Sequence, residues 1–387
     1  MDFDDAPEDA TFRQEFRSWL AAHHPGETPR DPDAAFEFRR EWQGTMFEAG
    51  WAAPSWPEAW GGRDATIGQL VVYQEELALA SAPTVVNAIG VWNIGPTLLE
   101  HGTEDQRARW LPGMLSADDI WCQGFSEPGA GSDLAALTTR AVLDGDAYVV
   151  TGQKVWTSNA HRADRCFLLC RTDPGAERKH QGMTVLVVDM RAAGVECRPI
   201  REMAGDANFD EVFLEGVRVP IDDRVGEEGA GWQVAMSTLT HERVGTVTYG
   251  VQLRQRLEAL MRRPELWPDD EVARRVLDQE LARVATDIEI IRLIALRAVT
   301  KASRGEAPWP EVSLGKLLWS TASQDLAAIA MSAMGADGLR MRGDDRAADD
   351  GRWSHDELFM RMTTIGAGTT EVQKNILAER ALGLPRG

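Results

Sequence analysis

The sequence predicts a multidomain α+β protein in which a compact antiparallel β-domain, a barrel or a sandwich, separates two helical regions. Three observations support this fold class. Helical spacing of apolar residues dominates the first third of the chain, short alternating segments fill residues 121–217, and the helical period returns after residue 229. No helix-length pattern separates the predicted strands, so a parallel Rossmann sheet is not expected. We place the domains at 1–121, 122–228 and 229–387.

The N-terminal region is predicted to be helical because its apolar residues recur once per helical turn. Phe12, Phe16 and Leu20 follow one another at a spacing of four, which marks one buried helix face. Turns rich in Pro and Gly, such as APSWPEAWGG, join the helices. Further helices are predicted at 35–49, 66–81 and 101–115, the last with Thr103 as its N-cap.

The middle and the end of the chain differ in their period. Predicted strands cover 147–158, 165–173, 182–190 and 209–220, and the hairpin turn LDGDAY joins the first of them to the preceding segment. Amphipathic helices are predicted at about 229–262, 270–304 and 311–335, and a charged loop at 340–353. The last helix begins near Thr370, where the segment Thr370 to Gln373 fits a capping box.

Composition argues against several classes of partner. The formal net charge is −20, so nucleic acid and anionic membranes are repelled unless a basic patch intervenes. The densest basic triplet, Arg178-Lys179-His180, is more typical of a solvated loop than of a phosphate site. The acidic N-terminus lacks a signal-peptide pattern, and stretches such as TVLVV are far too short to span a membrane. We therefore expect a cytoplasmic protein.

The cysteines do not form a metal-binding or redox pattern. None of Cys122, Cys166, Cys170 and Cys197 belongs to a CxxC pair. On a strand, Cys166 and Cys170 lie on the same side, as small buried hydrophobic residues do. No metal site and no disulfide is expected.

Two short motifs in the β-domain offer groups suited to binding a ligand. The loop FSEPGAGSD, at 125–133, combines two glycines that leave backbone N–H groups accessible with the hydroxyls of Ser126 and Ser132. The strand QKVWTSNA, at 153–160, offers the flat ring of Trp156 beside the hydroxyls of Thr157 and Ser158. Alone, the first motif is more often a plain turn, and the tryptophan is more often a core residue. Together they offer donors for the edge of a flavin and a wall for its face.

With these motifs in order, the chain resembles an acyl-CoA dehydrogenase over nearly its whole length. The similar stretches are GWAAPSWPEAWGG, GPTLLEHGTEDQ, SEPGAGSD, KVWTSN and GTTEVQKNILAERALGLPR. The resemblance implies a helical domain, a β-domain and a C-terminal four-helix bundle, assembled as dimers or dimers of dimers. It also implies FAD held between the β-domain and the bundle, an acyl-CoA substrate of lipid β-oxidation, and an electron-transfer flavoprotein as electron acceptor.

The resemblance also assigns site residues. Gln123, Phe125 and Ser126 would line the flavin ring, Trp156 would pack on it, and Ser158 would bond near its N5 atom. Ser132 would lie near the flavin phosphate and the pantetheine of the substrate. The remaining residues of the implied cofactor set are Thr157, Thr369, Thr370 and Glu371, the last three at a helix start that favours pyrophosphate.

The catalytic base is displaced from its most familiar place. Many family members carry a glutamate two residues before the threonine of the terminal motif, where this chain has Ala367, next to Gly368. Either the chain is inactive or its base lies elsewhere. A branch that includes isovaleryl-CoA dehydrogenase takes the glutamate from an earlier helix, just before an arginine, and the segment LTHERVGTV places Glu242 and Arg243 there. We expect Glu242 to be the base.

Three alternatives remain open at this level. An acyl-CoA oxidase would use the same residues, a partner subunit of a heteromeric dehydrogenase would be non-catalytic, and a CoA-ester binding protein would lack redox function. The Arg-x-x-Phe-Gly segment by which many relatives contact the neighbouring subunit's FAD is absent from MRRPELWPDDEVARR, so that contact is left out of the site. The small residues Gly366 and Ala367 lead to the hypothesis of a branched or cyclic acyl chain, including a steroid side chain.

Overall fold

The computed structural model of the chain describes residues 6–244, 247–302, 304, 306 and 309–385, without the side chains of residues 242–244, 247, 248, 302 and 309. The chain divides into two compact units. The sheet unit comprises His23–Thr66 and Ala82–Glu242, and the bundle unit comprises Met1–Ala22, Ile67–Ser81 and Arg243–Gly387. The first predicted domain boundary falls inside the first strand, Trp121–Gly124, and the second falls just before the helix Gly231–Val244. Both boundaries stay predictions.

The sheet unit is built on a mixed, mostly antiparallel sheet. Its strands are β1 Trp121–Gly124, β2 Arg140–Asp144, β3 Ala147–Ser158, β4 Arg165–Arg171, β5 Met183–Asp189, β6 Val195–Ile200, β7 Phe209–Pro220 and β8 Arg224–Val225. Their order is β6-β7-β3-β2-β4-β5-β8, and β1 pairs with β4. Its helices are α2 Pro32–Glu48, α4 Gly95–His101, α5 Glu104–Ser116 and α6 Gly231–Val244, the last ending in the bundle unit.

The strand order differs from a purely antiparallel sheet at β4. Strand β1 runs parallel to it, with Gln123 opposite Phe167, and Arg140 of β2 makes one further parallel pair with Arg171. The chain between β1 and β4 includes the predicted β2–β3 hairpin, and this long connection lets it return in the same direction. Strand β6 carries little buried apolar surface, which explains why no alternating pattern predicted it.

The interior of the sheet is closed by small and branched apolar side chains. Cys122, Cys166 and Cys170 belong to this core, together with Val212 and Leu214 of β7, and the four free cysteines form no disulfide. Burial of the three core cysteines confirms that they act as small hydrophobic residues. Leu168 of β4 lies on the same core face, so Phe167 between Cys166 and Leu168 points to the opposite face.

The bundle unit is helical throughout its described part. Its helices are α1 Pro7–His23, α3 Ile67–Leu79, α7 Val247–Met261, α8 Glu271–Ala302, α9 Trp309–Met334, α10 Arg352–Phe359 and α11 Thr370–Ile376. Leucine and isoleucine side chains of α7, α8 and α9 pack around the buried Trp353 of α10. Phe12, Phe16 and Leu20 are buried on α1, as their spacing predicts. Among the described helices, none combines the length and apolar character that a membrane crossing requires.

Helix ends follow the sequence signals at one place and depart from them at two others. Thr103 caps α5 in a complete capping box with Gln106, as predicted. The segment predicted as a loop contains the start of α10, since Trp353 buries itself in the bundle despite its charged neighbours. The cap of α11 is Thr369, whose hydroxyl accepts from the Val372 N–H, so the predicted cap at Thr370 is wrong by one residue.

Candidate functional site

Strand β1 and the residue that follows it present two predicted site residues away from the core. Gln123 and Phe125 alternate with Cys122, which faces the core, so they lie on the opposite face. The Phe125 ring centroid is 6.4 Å from that of Phe167. The Oε1 atom of Gln123 is buried and accepts no hydrogen bond within the described part of the chain. A buried amide oxygen without a donor is uncommon and indicates that an external group bonds there.

The glycine-rich loop after β1 is a closed turn with an open outer side. The Glu127 N–H donates to the Ala130 carbonyl at 2.9 Å, and the Ala130 N–H donates back at 3.0 Å. Within the part of the chain that the structure describes, no atom outside the adjoining residues lies within 4 Å of a Cβ built on Gly129 or Gly131. The side chain of Ser132 is exposed. The loop therefore offers its backbone and a hydroxyl to a ligand, as the motif predicts.

A buried ion pair fixes this loop to β3. Lys154 Nζ lies 2.9 Å from Glu127 Oε1 and donates to the Phe125 carbonyl at 3.1 Å. Thr138 and Thr139 donate their backbone N–H groups to the same carboxylate at 2.6 and 2.8 Å. Burial acts to raise the pKa of Glu127, but Lys154 and these hydrogen bonds outweigh it and lower the pKa to about 2.

The neighbouring loop residue joins the same strand through its backbone. The Ser126 carbonyl accepts from the Val155 N–H at 2.9 Å, so the first motif lies directly beside the second. The side chain of Ser126 is half-buried. The structure therefore brings Gln123, Phe125 and Ser126 close to the KVWTSN strand, as expected from the sequence.

Strand β3 is distorted where it carries its aromatic residue. Its pairing with β7 shifts register between Lys154 and Thr157, and Trp156 within this bulge has φ of +60°. The left-handed conformation is costly for a tryptophan and is typical of functional positions. The Trp156 side chain is 59% exposed and meets the Phe209 ring edge-on, at a centroid distance of 6.3 Å. An exposed indole on a distorted strand is a suitable wall for a planar ligand.

The two hydroxyl residues after Trp156 point in opposite directions. Ser158 pairs with Phe209 and is half-buried, whereas Thr157 pairs with Asp210, which shares the core face with Val212. The Thr157 hydroxyl is buried and has no hydrogen-bond partner among the described residues. Ser158 therefore lies on the same face of β3 as Trp156, and Thr157 lies on the core face.

A second buried carboxylate supports this strand from β7. Asp210 is fully buried and accepts from the backbone N–H of His161 at 3.2 Å, and one of its oxygens is 2.9 Å from His161 Nδ1. This pair, like Lys154 and Glu127, was absent from the predicted site. The available signal was a charged residue at a core-facing strand position, which requires a buried partner.

The bundle unit holds the other predicted cofactor residues in one short segment. Ala367 and Gly368 both have positive φ, at +54° and +87°, which turns the chain sharply before α11. Gln373 Nε2 donates to the Ala367 carbonyl at 3.1 Å and holds this turn. Thr370 and Glu371 occupy the first turn of the helix behind the Thr369 cap. Their contact with FAD stays a prediction.

Glu242 and Arg243 lie in the last turn of α6, and their side chains are outside the described residues. One turn earlier, Thr238 is fully buried and donates its hydroxyl to the Val234 carbonyl at 3.0 Å. Glu242 follows Thr238 at the spacing i, i+4, so its Cα lies on the same face of the helix. The structure therefore locates Glu242 along α6, one turn after the buried Thr238.

The predicted site is thus divided between the two units. Gln123, Phe125, Ser126, Ser132, Trp156, Thr157, Ser158 and Glu242 belong to the sheet unit, and Arg243, Ala367, Gly368, Thr369, Thr370 and Glu371 belong to the bundle unit. Within the sheet unit the described contacts bring the β1 residues and the β3 residues together. A buried amide oxygen without a donor, an open glycine turn and an exposed indole fit a flavin, whose ring is flat and whose edge is polar.

Comparison with known proteins identifies the family. Models of the acyl-CoA dehydrogenase N-terminal, middle and C-terminal domains match residues 6–118, 122–217 and 229–382. Acyl-CoA dehydrogenase IpdE1 of Mycobacterium tuberculosis is 42% identical over 97% of both chains. IpdE1 of Mycolicibacterium smegmatis is 39% identical, again over 97% of both.

Solved structures agree with this result. A structure named Tcur3481-Tcur3483 steroid ACAD matches with a TM-score of 0.88 and 31% identity over 100% of both chains. The ChsE4-ChsE5 complex of Mycobacterium tuberculosis contains a chain that matches with a TM-score of 0.87 and 32% identity, also over 100% of both chains. These matches confirm the predicted family, its fold class and its cofactor. The chain therefore belongs to the acyl-CoA dehydrogenase family and is an FAD-dependent oxidoreductase.

Proposed function

We propose that Glu242 removes the α-proton of an acyl-CoA thioester, so that α,β-dehydrogenation yields the trans-2-enoyl-CoA. Two observations together support this assignment. Ala367 leaves the turn before α11 without an acid, while α6 supplies Glu242 one turn after the buried Thr238. The base would thus come from the earlier helix, as in the isovaleryl-CoA dehydrogenase branch.

The protein's own groups would position the substrate and the cofactor and would stabilise the charge that develops during the reaction. The thioester carbonyl acidifies the α-hydrogens, and hydrogen bonds to its oxygen stabilise the charge that develops there. A carboxylate in a water-excluded slot is a stronger base than one in water. Bound FAD, with Trp156 and Gln123 beside its ring, supplies the hydride acceptor. Trp156 and Gln123 would fix the position of that ring, and the turn at 125–133 would hold the polar part of the cofactor.

Anaerobic flavin bleaching with acyl-CoA esters tests the assignment of Glu242. Glu242→Gln should retain FAD and bind substrate, yet reduce the bleaching rate by about 1,000-fold or more, since its amide cannot accept the proton. Glu280→Gln, an exposed glutamate on α8, is the matched control and should bleach at the wild-type rate. Full-rate bleaching by Glu242→Gln would remove this residue from the mechanism.

We further propose that the acyl group is branched or cyclic. The Cε methyl group of Met362 lies 3.6 Å from a Cβ built on Gly366. Met362 also lines a cavity of about 240 Å³ between α7, α9 and the segment after α10. A cavity of about 150 Å³ already holds one benzene ring, so a cavity of this volume has room for a ring. Relatives that are named steroid acyl-CoA dehydrogenases support the cyclic choice.

A panel of straight, branched and ring-bearing acyl-CoA esters tests this proposal. We expect higher kcat/KM for the bulky esters, and Gly366→Tyr should reverse the preference because the ring would occupy the space beside Met362. Gly44→Ala on α2, where a Cβ meets only the Ser116 carbonyl at 3.9 Å, is the control substitution. Equal turnover of all esters by the native enzyme would contradict the proposal.

A non-catalytic role as the partner subunit of a heteromeric dehydrogenase is the second candidate. Ala367 favours it, as does the likeness to a chain of the ChsE4-ChsE5 complex. Purification of the chain alone, followed by flavin absorbance and native mass, separates the cases. A yellow, active dimer or tetramer of this chain supports the enzyme, whereas a colourless chain that gains flavin only with a second protein supports the partner subunit.

The electron acceptor and the location complete the proposal. An electron-transfer flavoprotein should reoxidise the reduced enzyme, and rapid consumption of oxygen instead would identify an oxidase. A purified chain with bound flavin would also argue against a CoA-ester binding protein without redox function. The cytoplasmic location and a role in lipid β-oxidation stay predictions from the sequence.

A further inference from the structure

We propose that Glu100 of α4 is a positioning residue for the reaction, because its carboxylate ties α4 to the last two turns of α6 and so sets the place of Glu242. This inference rests on the proposed role of Glu242. The constraint acts on the backbone of α6, which carries Glu242.

The tie consists of a carboxylate that meets two side chains of α6. The Ser237 hydroxyl donates to Glu100 Oε2, and His241 Nε2 lies 3.7 Å from the same oxygen. The other carboxylate oxygen lies 3.5 Å from Nε2 of His101, which follows it on α4. Ser237 Oγ and His241 Nε2 are themselves 3.5 Å apart. Three side chains thus contact the Glu100 carboxylate at the edge of the two helices, where the Glu100 side chain is 55% exposed.

A second contact prevents rotation of α6 about this tie. Thr97 lies one turn before Glu100 on α4, and its hydroxyl is 3.1 Å from that of Thr238 in the buried space between the helices. Two contacts on neighbouring helix positions fix both the height and the axial angle of α6. Because one residue step turns a helix by about 100° and moves it by about 1.5 Å, a slip here would carry Glu242 to another face.

The charges support a stable tie at neutral pH. The Ser237 hydrogen bond, together with His101 and His241, lowers the pKa of Glu100 below its ordinary value. Burial lowers the pKa of His241 even though Glu100 opposes this effect. Glu100 is therefore an anion that accepts hydrogen bonds, and His241 is neutral at pH 7. Glu100 and Ser237 account for the tie without a buried cation.

The test compares Glu100→Ala, Glu100→Gln and the exposed control Glu48→Ala in the FAD-loaded enzyme. Anaerobic stopped-flow should show that Glu100→Ala lowers the flavin-reduction rate about 10- to 100-fold, while FAD content and the Kd for acyl-CoA change less than about threefold. Glu100→Gln should recover most of the rate, since its amide oxygen still accepts from Ser237. A merely structural role would instead lower FAD content and affinity together.

The outcomes separate this proposal from the assignment of Glu242. A full rate for Glu100→Ala with a dead Glu242→Gln overturns the tie and keeps the base. A full rate for Glu242→Gln overturns the base itself, whatever Glu100→Ala does. If Glu100→Ala does not fold, Ser237→Ala and His241→Gln replace it, and wild-type rates for both overturn the proposal.

Discussion

Lys154 and Glu127 form an ion pair with almost no solvent exposure, with Nζ 2.9 Å from Oε1, at the joint between strand β3 and the glycine-rich loop. The ammonium also holds the Phe125 carbonyl, and the carboxylate also receives two backbone N–H groups. The ammonium nitrogen and both carboxylate oxygens thus have defined partners. The pair sets the distance between the loop and the strand that carries Trp156.

Removal of one partner of this pair should be strongly destabilising. Lys154→Met leaves the Glu127 carboxylate buried without its cation, and we expect a loss of about 3–5 kcal/mol in the free energy of unfolding. The double variant Glu127→Leu, Lys154→Met should recover part of this loss, because no charge remains buried. Urea denaturation measures the native protein, Lys154→Met and the double variant, and a double variant no more stable than Lys154→Met would contradict the explanation.

The same pair should give a pH-dependent stability with a known sign. The folded-state pKa of Glu127 is depressed to about 2 from its ordinary 4.5, so its contribution is complete above pH 4.5 and is lost as pH falls toward 2. The difference in unfolding free energy between the native protein and Glu127→Gln should therefore shrink over this window. Denaturation curves at pH 7, 4.5 and 3 provide the measurement, and a constant difference would speak against the assignment.

Gly95, at the start of α4, should not tolerate a methyl group. A Cβ at this position would lie 1.9 Å from Cζ2 of the buried Trp56, whose Nε1 donates to the Val91 carbonyl. Gly95→Ala should cost about 1–3 kcal/mol through overpacking. Gly44→Ala on α2 is the control, since its Cβ meets only the Ser116 carbonyl at 3.9 Å, and it should stabilise by up to about 1 kcal/mol. Thermal unfolding of the two variants should move in opposite directions.

Substitution of two neighbouring threonines should show which residue caps α11. Thr369→Ala removes the oxygen that accepts from the Val372 N–H, and we expect a loss of about 1 kcal/mol. Thr370→Ala should change stability by less than about 0.5 kcal/mol, because its position is already helical. Equal losses for both variants would mean that the cap is not at Thr369.

Substitution of Trp156 should affect cofactor binding without lowering the stability of the fold. Its left-handed backbone costs about 1–3 kcal/mol, which Trp156→Gly relieves, so the apoprotein should be no less stable than the native one. The same change removes the exposed ring, and FAD should dissociate more readily. Thermal unfolding of the apoprotein and flavin fluorescence during dialysis measure the two effects. Unchanged FAD retention would argue against the ring as a flavin wall.

Short-range patterns sufficed wherever local physics decided the structure. The spacing of Phe12, Phe16 and Leu20 located a helix face, and Thr103 located the beginning of α5, because helix periodicity and capping involve only neighbours in the chain. The order of motifs located the family. Strand β6 and the parallel pairing of β1 with β4 were not predicted, since both depend on which distant segment lies alongside.

The sequence by itself determined the succession of helices, strands and helices, the glycine-rich loop and the strand beside it, and the identity of the family. Tertiary structure alone decided that Lys154 meets Glu127, that His161 meets Asp210, and that Glu100 meets Ser237 on α6. The physical reason is the separation in sequence over which each interaction acts. Capping and periodicity act within a few residues, whereas a buried charge finds its partner across the fold, at a distance along the chain that no local pattern records.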